Sequence, residues 1–188
     1  SKYMQSKLNG EINIKSTFSP SVILRPSIVF GPEDKFFNTF ASLAQFVPAL
    51  PLIGGGKTKF APIYVGDVAK AIVKSLELNN NETKTYELGG PKNYSFKELM
   101  ELLLKQIRKK RFLVPMPFWA SKISSYFLQM MPNPLLTPDQ VEILKHDNIV
   151  SEKYPILKDL GIIGTSIETV LPKYIYRFRT GGEFNQSF

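Results

Sequence analysis

Tyr3 and Lys7 stand four residues apart in Ser1-Lys2-Tyr3-Met4-Gln5-Ser6-Lys7-Leu8, a stretch with no breaker before Gly10. On a helix that spacing sets the two side chains one turn apart on one face, about 5–6 Å between β-carbons. An ammonium at that range favours an ionised phenol, and a tyrosine so assisted can exchange a proton with an alcohol or ketone. The same ammonium can reach the ribose hydroxyls of a nucleotide cofactor.

Spacing alone is a weak signal, because eight tyrosines among frequent lysines give about one chance match per chain. Tyr154-Pro155-Ile156-Leu157-Lys158 is such a match, and Pro155 drives Tyr154 away from helical angles. Gly54-Gly55-Gly56-Lys57-Thr58 looks like a phosphate-binding loop, but that loop needs a glycine where Pro51 stands and a helix after the threonine. Phe60-Ala61-Pro62 reads as extended, so the glycines are expected to form a turn. No Gly-x-Gly-x-x-Gly follows a strand, so the pyrophosphate of a bound dinucleotide must be gripped by residues outside this chain. Glu33 and Asp34 are adjacent carboxylates, which rarely converge on one atom, and a solvated loop is expected there. Asp67 is expected to cap a helix and nothing more.

Composition narrows the chemistry. There is no cysteine, which excludes disulfides and thiolate metal sites, and His146 alone leaves little for zinc or histidine catalysis. No apolar run approaches about 18 residues, the length a membrane-spanning helix needs. The chain has 188 residues and a net charge of +8. Lys105, Arg108, Lys109, Lys110 and Arg111 gather at the end of an apolar helix, where cations complement the helix dipole. A sharper reading of that run is contact with an anionic membrane surface or an acidic partner. Nucleic acid is not favoured, because the run lacks interleaved aromatics. The chain starts at Ser1 rather than at methionine and enters a helix at once, as a piece of a longer protein would, with any targeting segment upstream.

Several elements must position these residues. A helix is predicted over about 1–15, a buried strand over 21–24, a helix over 36–46, a loop over 48–56 and a strand over 60–65. Asp67 opens a helix to about Leu78 with Val68, Ala71, Ile72 and Leu76 at helical spacing, ended by Asn79-Asn80-Asn81, before a strand over 85–88. Ser95 with Glu98 forms a capping box for a helix that aligns Phe96, Leu99, Leu103 and Ile107. A strand over 112–114 and a helix over 118–131 follow. In that helix Trp119, Ile123, Tyr126, Phe127 and Met130 make an apolar stripe, expected as core, opposite Ser121, Lys122, Ser125 and Gln129. Thr137-Pro138 signals another helix start, and Thr165 with Glu168 a further capping box.

Four segments in this order carry a likeness: Tyr3-x-x-x-Lys7, Arg25-Pro26-Ser27-Ile28-Val29-Phe30-Gly31-Pro32, Tyr64-Val65-Gly66-Asp67-Val68-Ala69 and Tyr86-Glu87-Leu88-Gly89-Gly90. Together they resemble the extended and atypical short-chain dehydrogenase/reductases, the NAD-dependent epimerase/dehydratase group. A narrower likeness, over the whole chain, is to the nucleotide-binding accessory subunits of respiratory complex I and their bacterial relatives. It rests on Ile23 to Asp34, Phe36-Phe37-Asn38, Pro51-Leu52-Ile53 and Leu136-Thr137-Pro138-Asp139-Gln140-Val141.

The resemblance implies an α/β fold: the C-terminal portion of a Rossmann-type parallel sheet over 1–91, with substrate-side insertions at 32–66, and a smaller, mostly helical subdomain over 92–188. It implies NADP(H) or NAD(H) as cofactor, held in part by upstream residues that include the glycine fingerprint and the catalytic serine or threonine. Tyr3 and Lys7 become the acid/base and its ribose-binding partner, with Pro26, Ser27 and Ile28 against the nicotinamide. Lys59-Phe60-Ala61 stands where many sugar-nucleotide enzymes of the group place Arg-Asp-Phe, which weighs against a nucleotide-sugar substrate. The function implied is a cofactor-binding, non-turnover accessory or assembly subunit, peripheral on the mitochondrial matrix face or the cytoplasmic face of a bacterial inner membrane, with complex I-type subunits as partners. The alternative is a soluble epimerase, dehydratase or reductase, and an RNA-binding protein on this fold has little behind it.

Overall fold

The computed structural model describes residues 1–78, 82–130, 136–151 and 153–182. In chain order the main elements are α1 (Lys2–Thr17), β1 (Val22–Pro26), β2 (Val29–Phe30), α2 (Lys35–Phe46), β3 (Ala49–Ile53), β4 (Lys59–Phe60), β5 (Ile63–Tyr64) and α3 (Val65–Glu77). They continue with β6 (Lys84–Leu88), β7 (Tyr94–Ser95), α4 (Phe96–Gln106), β8 (Phe112–Met116), α5 (Phe118–Leu128), α6 (Pro138–Ile143), α7 (Ile167–Val170) and α8 (Pro172–Ile175). β1 pairs in parallel with β6, β2 with β5 and β3 with β8, while β4 and β7 pair antiparallel. Strands that alternate with helices and pair in parallel are the mark of an α/β fold.

β3 lies where a loop was predicted. Pro51 sits opposite Val114 and Pro115 opposite Leu52 in the β3–β8 ladder. Among the described residues this ladder has two strands, so each proline can turn its missing donor to an open edge. After it, Gly54, Gly55 and Gly56 take φ of 61°, 70° and 73°, a left-handed turn that side chains resist. The chain then runs into β4 rather than a helix, so nothing here has the shape of a phosphate loop.

Two apolar clusters hold the molecule together. The larger joins Phe30 and Phe37 with Leu50, Leu52, Phe96, Leu99, Leu103 and Ile107, and closes on Leu171 and Ile175. The smaller gathers Ile63, Ala71, Tyr86 and Leu88 against Leu157, Leu160 and Ile162. α4 presents its predicted face to the larger cluster, and its capping box is complete: the Ser95 hydroxyl accepts the Glu98 N–H at 3.1 Å and the Glu98 carboxylate accepts the Ser95 N–H at 2.6 Å.

The end of α4 assigns the basic run locally. Arg108 has φ of 54°, with Lys109 N–H bonded to the Leu104 carbonyl and Arg108 N–H to Lys105, the paired bonds of a left-handed helix stop. Arg111 donates to the Ala44 carbonyl near the end of α2, and Arg179, outside the run, donates to the Gln106 carbonyl.

α5 reverses its predicted orientation. Trp119 is 70% exposed and Phe127 72%, with Ile123, Tyr126 and Met130 also exposed, whereas Ser121 and Ser125 are fully buried. Each serine closes its hydroxyl on its own helix, Ser121 to the Pro117 carbonyl and Ser125 to the Lys122 carbonyl. A short side chain with its polar group already satisfied can be buried at little cost and lets a neighbouring helix close in; α6 packs against α5. The apolar stripe is therefore an outward face.

Three further expectations are corrected. α3 begins at Val65, which puts Asp67 inside the first turn, and Ile72 and Leu76 are exposed rather than core. The capping box at Thr165 and Glu168 does not form: α7 starts after Ser166, and the Glu168 carboxylate accepts the Tyr94 hydroxyl at 2.6 Å instead. Asp34 is no solvated loop residue but the N-cap of α2, accepting the Phe37 N–H at 2.6 Å. The stop read at Asn79-Asn80-Asn81 lies outside the described residues.

Candidate functional site

Tyr3 and Lys7 both lie on α1, where the Lys7 ammonium sits 5.5 Å from the centre of the Tyr3 ring. None of the helix is buried, and Tyr3 is 56% exposed. Such a helix is held by polar contacts. At its start the Asp139 carboxylate accepts the Lys2 N–H at 2.8 Å, the Ser1 hydroxyl at 2.8 Å and the Tyr3 N–H at 3.2 Å. One turn beyond Lys7, Glu11 receives a two-pronged ion pair from Arg25 of β1, at 2.8 and 2.5 Å. That guanidinium lies 4.7 Å from the centre of the Tyr154 ring, a cation–π contact. The Arg25 hydrogen bond holds the Glu11 carboxyl below its ordinary value, and Glu11 pushes Arg25 up in turn.

Pro26, Ser27 and Ile28 follow directly at the C-terminal end of β1, the end at which open α/β sheets take ligands. Pro26 and Ser27 line a hollow of about 140 Å³ with Arg25, Glu87, Asn148 and Val150 among its walls. The Ser27 hydroxyl donates to the Asn148 carbonyl at 2.7 Å and accepts the Ala61 N–H at 3.2 Å, so it stitches three segments together rather than standing free. Ile28 packs on the larger cluster. Glu87 of β6 accepts the Ser151 N–H at 2.5 Å and fixes the far wall. The Gly89-Gly90 pair has a steric cause: a β-carbon on Gly90 would come within 1.9 Å of the Pro62 carbonyl oxygen.

The distant partners of several polar residues are not legible in the sequence. Asp67 is wholly buried and accepts the Thr165 N–H at 2.6 Å and the Lys70 ammonium at 2.9 Å. Burial alone would raise its carboxyl, but Lys70 and Thr165 together hold it below the usual range. Asp34 also takes the Tyr174 hydroxyl at 2.6 Å; burial wins there and the Asp34 carboxyl is pushed up despite its hydrogen bonds. The Tyr94–Glu168 bond is the third such contact. Each partner is far off in sequence, and no local pattern announces it. Among the described residues no group of histidine and carboxylate side chains could hold a metal ion.

The model of the 3-beta hydroxysteroid dehydrogenase/isomerase family matches residues 6–98. Subunit 9 of the mitochondrial NADH dehydrogenase (ubiquinone) 1 alpha subcomplex from Arabidopsis thaliana is 32% identical over 192 residues, covering 97% of this chain and 48% of that protein. The Rattus norvegicus protein of that name is 33% identical over 181 residues, covering 95% of the chain and 48% of its own length. The chain thus spans about half the length of these relatives. Among solved structures, the dTDP-glucose 4,6-dehydratase of Bacillus anthracis in complex with NAD superposes with a TM-score of 0.64 at 18% identity, covering 93% of this chain and 51% of that one. The UDP-N-acetylglucosamine 4-epimerase of Methanobrevibacter ruminantium gives 0.65 at 19% identity, covering 95% and 53%. These two establish the Rossmann-type fold. With the parallel β1–β6 ladder and the matched family model together, residues 6–98 of the chain match the 3-beta hydroxysteroid dehydrogenase/isomerase family on a Rossmann-type fold.

Proposed function

We propose that this chain is part of a nicotinamide-nucleotide-binding accessory or assembly subunit of a complex I-type NADH:ubiquinone oxidoreductase, one that holds NAD(P)H without turning it over. The observation that carries the reading is the alignment of relatives named as subunits of that complex with nearly the whole chain, 97% of it for the Arabidopsis protein. The donor set suits the cofactor. Tyr3 and Lys7 stand side by side on an exposed face, and among the described residues the Lys7 ammonium has no carboxylate partner. Lys7 would hold the ribose hydroxyls, Tyr3 would face the nicotinamide, and Pro26, Ser27 and Ile28 would bound its pocket. Either NADP(H) or NAD(H) fits these contacts.

Titration of the full-length protein with NADPH and NADH tests this. Lys7→Ala should weaken binding by about tenfold or more, as expected for a lost charged hydrogen bond of about 1.5–3 kcal/mol. Tyr3→Phe should leave affinity nearly unchanged. No binding of either nucleotide by the wild-type protein would sink the reading. The adjacency of Tyr3 and Lys7 is also what acid/base chemistry requires, so a soluble epimerase, dehydratase or reductase is the second reading; turnover of a hydroxylated substrate that vanishes in Tyr3→Phe would replace the first with it.

The partner surface in this reading is the outward face of α5. Exposed Trp119, Ile123 and Phe127 follow closely on exposed Lys105, Arg108 and Lys110, the pairing of apolar face and cations that interfacial helices use. No helix among the described residues is long and apolar enough to cross a membrane, and the mode of attachment proposed is peripheral, on the matrix face or its bacterial counterpart. Flotation with anionic liposomes should be salt-sensitive and lost when Lys109, Lys110 and Arg111 become glutamine. No flotation at low salt would remove the membrane from the proposal and leave protein subunits as the partner.

A further inference from the structure

The helix that carries Tyr3 and Lys7 buries none of its sixteen residues, so apolar packing within the described chain does not set its height or rotation. Two polar anchors do. Glu11 and Arg25 hold its middle to β1, and Asp139 holds its first turn. The second anchor is the unexpected one, because Asp139 lies 136 residues from Tyr3 in the chain and bonds directly to the Tyr3 main-chain nitrogen.

Asp139 is itself firmly placed. It is the second residue of α6, after Pro138 at the first position, and the Thr137–Gln140 capping box closes around it in both directions, at 2.9 and 3.2 Å. Val141, two residues on, is fully buried. The carboxylate therefore bridges the first turn of α6 and residues 1–3, at the start of α1. It shares its two oxygens among three donors of α1, which fixes the direction of that helix and not only its capping. Local sequence would assign Asp139 to the start of α6 alone.

We infer that Asp139 is a positioning residue for the cofactor site, acting from α6 through the first turn of α1 to set where Tyr3 and Lys7 meet the nicotinamide ribose. The inference rests on the cofactor reading above and adds to it a residue that touches no cofactor. It also ties the site to α6, the helix that packs against α5.

Full-length wild type, Asp139→Ala, Asp139→Asn, Lys7→Ala and the double variant Lys7→Ala/Asp139→Ala are titrated with NADPH, followed by nicotinamide fluorescence and calorimetry, with melting temperatures recorded alongside. Asp139→Ala should weaken NADPH by about three- to tenfold, while its melting temperature stays within about 3 °C of wild type. Asp139→Asn, which keeps one accepting oxygen, should fall between the two. Because Asp139 acts through Lys7, the double variant should bind no more weakly than Lys7→Ala alone, a non-additivity that a purely structural cap would not produce. Wild-type affinity in Asp139→Ala, or additive losses in the double variant, would overturn the positioning role while leaving the cofactor reading intact. Unchanged binding in Lys7→Ala would instead overturn the cofactor reading, and this inference with it.

Discussion

α4 and α5 are eleven residues each, lie on either side of β8 and both read as amphipathic helices, yet they face opposite ways. α4 turns Phe96, Leu99, Leu103 and Ile107 into the larger cluster; α5 turns Trp119, Ile123 and Phe127 outward and buries two serines. Periodicity reports that a stripe exists, because it depends only on the 3.6-residue turn. What covers the stripe depends on the neighbours. Two local differences separate the pair. α4 begins with a closed capping box, whereas α5 begins at Pro117 with no side-chain cap. The buried positions of α5 are Ser121 and Ser125, serines that can satisfy themselves, while the polar face of α4 carries Lys97, Glu101 and Lys105, which cannot be buried cheaply.

The comparison can be broken most severely by truncation. Phe96→Ala should cost about 3–5 kcal/mol in denaturant unfolding, whereas Phe127→Ala should stay within about 0.5 kcal/mol. Equal losses would mean that α5 is core after all. Ser125→Leu should cost about 1–3 kcal/mol by crowding the buried side of α5, where a solvent-facing serine would accept leucine freely.

Acid sharpens the contrast at the helix starts. The Glu98 carboxyl is held below its ordinary value, first by the Ser95 N–H and then by the Ser95 hydroxyl. A carboxyl whose folded value is lowered stabilises above the unfolded value and loses that contribution as pH falls through the folded one. The protection of amides in the first turn of α4, taken relative to the intrinsic exchange rate at each pH, should therefore fall below the usual glutamate range, with no matching step in α5. The smallest effect concerns the end of α4: Arg108→Gly should stabilise by about 0.5–1 kcal/mol by relieving a left-handed arginine, measured as a raised denaturation midpoint.

What could be read in the sequence follows the same division. Ser95 with Glu98, the spacing of Phe96 to Ile107, the β1 and β6 strands and the Tyr3–Lys7 helix are signals within a few residues, and the structure has these elements. β3 was hidden because Pro48 and Pro51 are turn residues in most settings, and only the pairing with β8 makes a strand of them. Asp34 with Tyr174, Asp67 with Thr165, Tyr94 with Glu168 and Asp139 with α1 were illegible for one reason: each joins polar groups that are distant in sequence. In the site, the pairing of Tyr3 with Lys7 follows from helix geometry, but what holds their helix in place does not.

The pairing of β1 with β6, and of β3 with β8, bears on how the chain acquires its shape. Each parallel ladder joins residues about sixty apart, and the larger cluster cannot close until Leu171 and Ile175 arrive. Loop closure must be completed before such contacts return any stability, so folding should be slow for the chain's size and strongly coupled between its ends. During synthesis the early strands must wait for partners that emerge several seconds later, at about 5–20 residues per second. A chain cut short before α7 would lack part of its core and should be recognised as unfolded rather than as a smaller working protein.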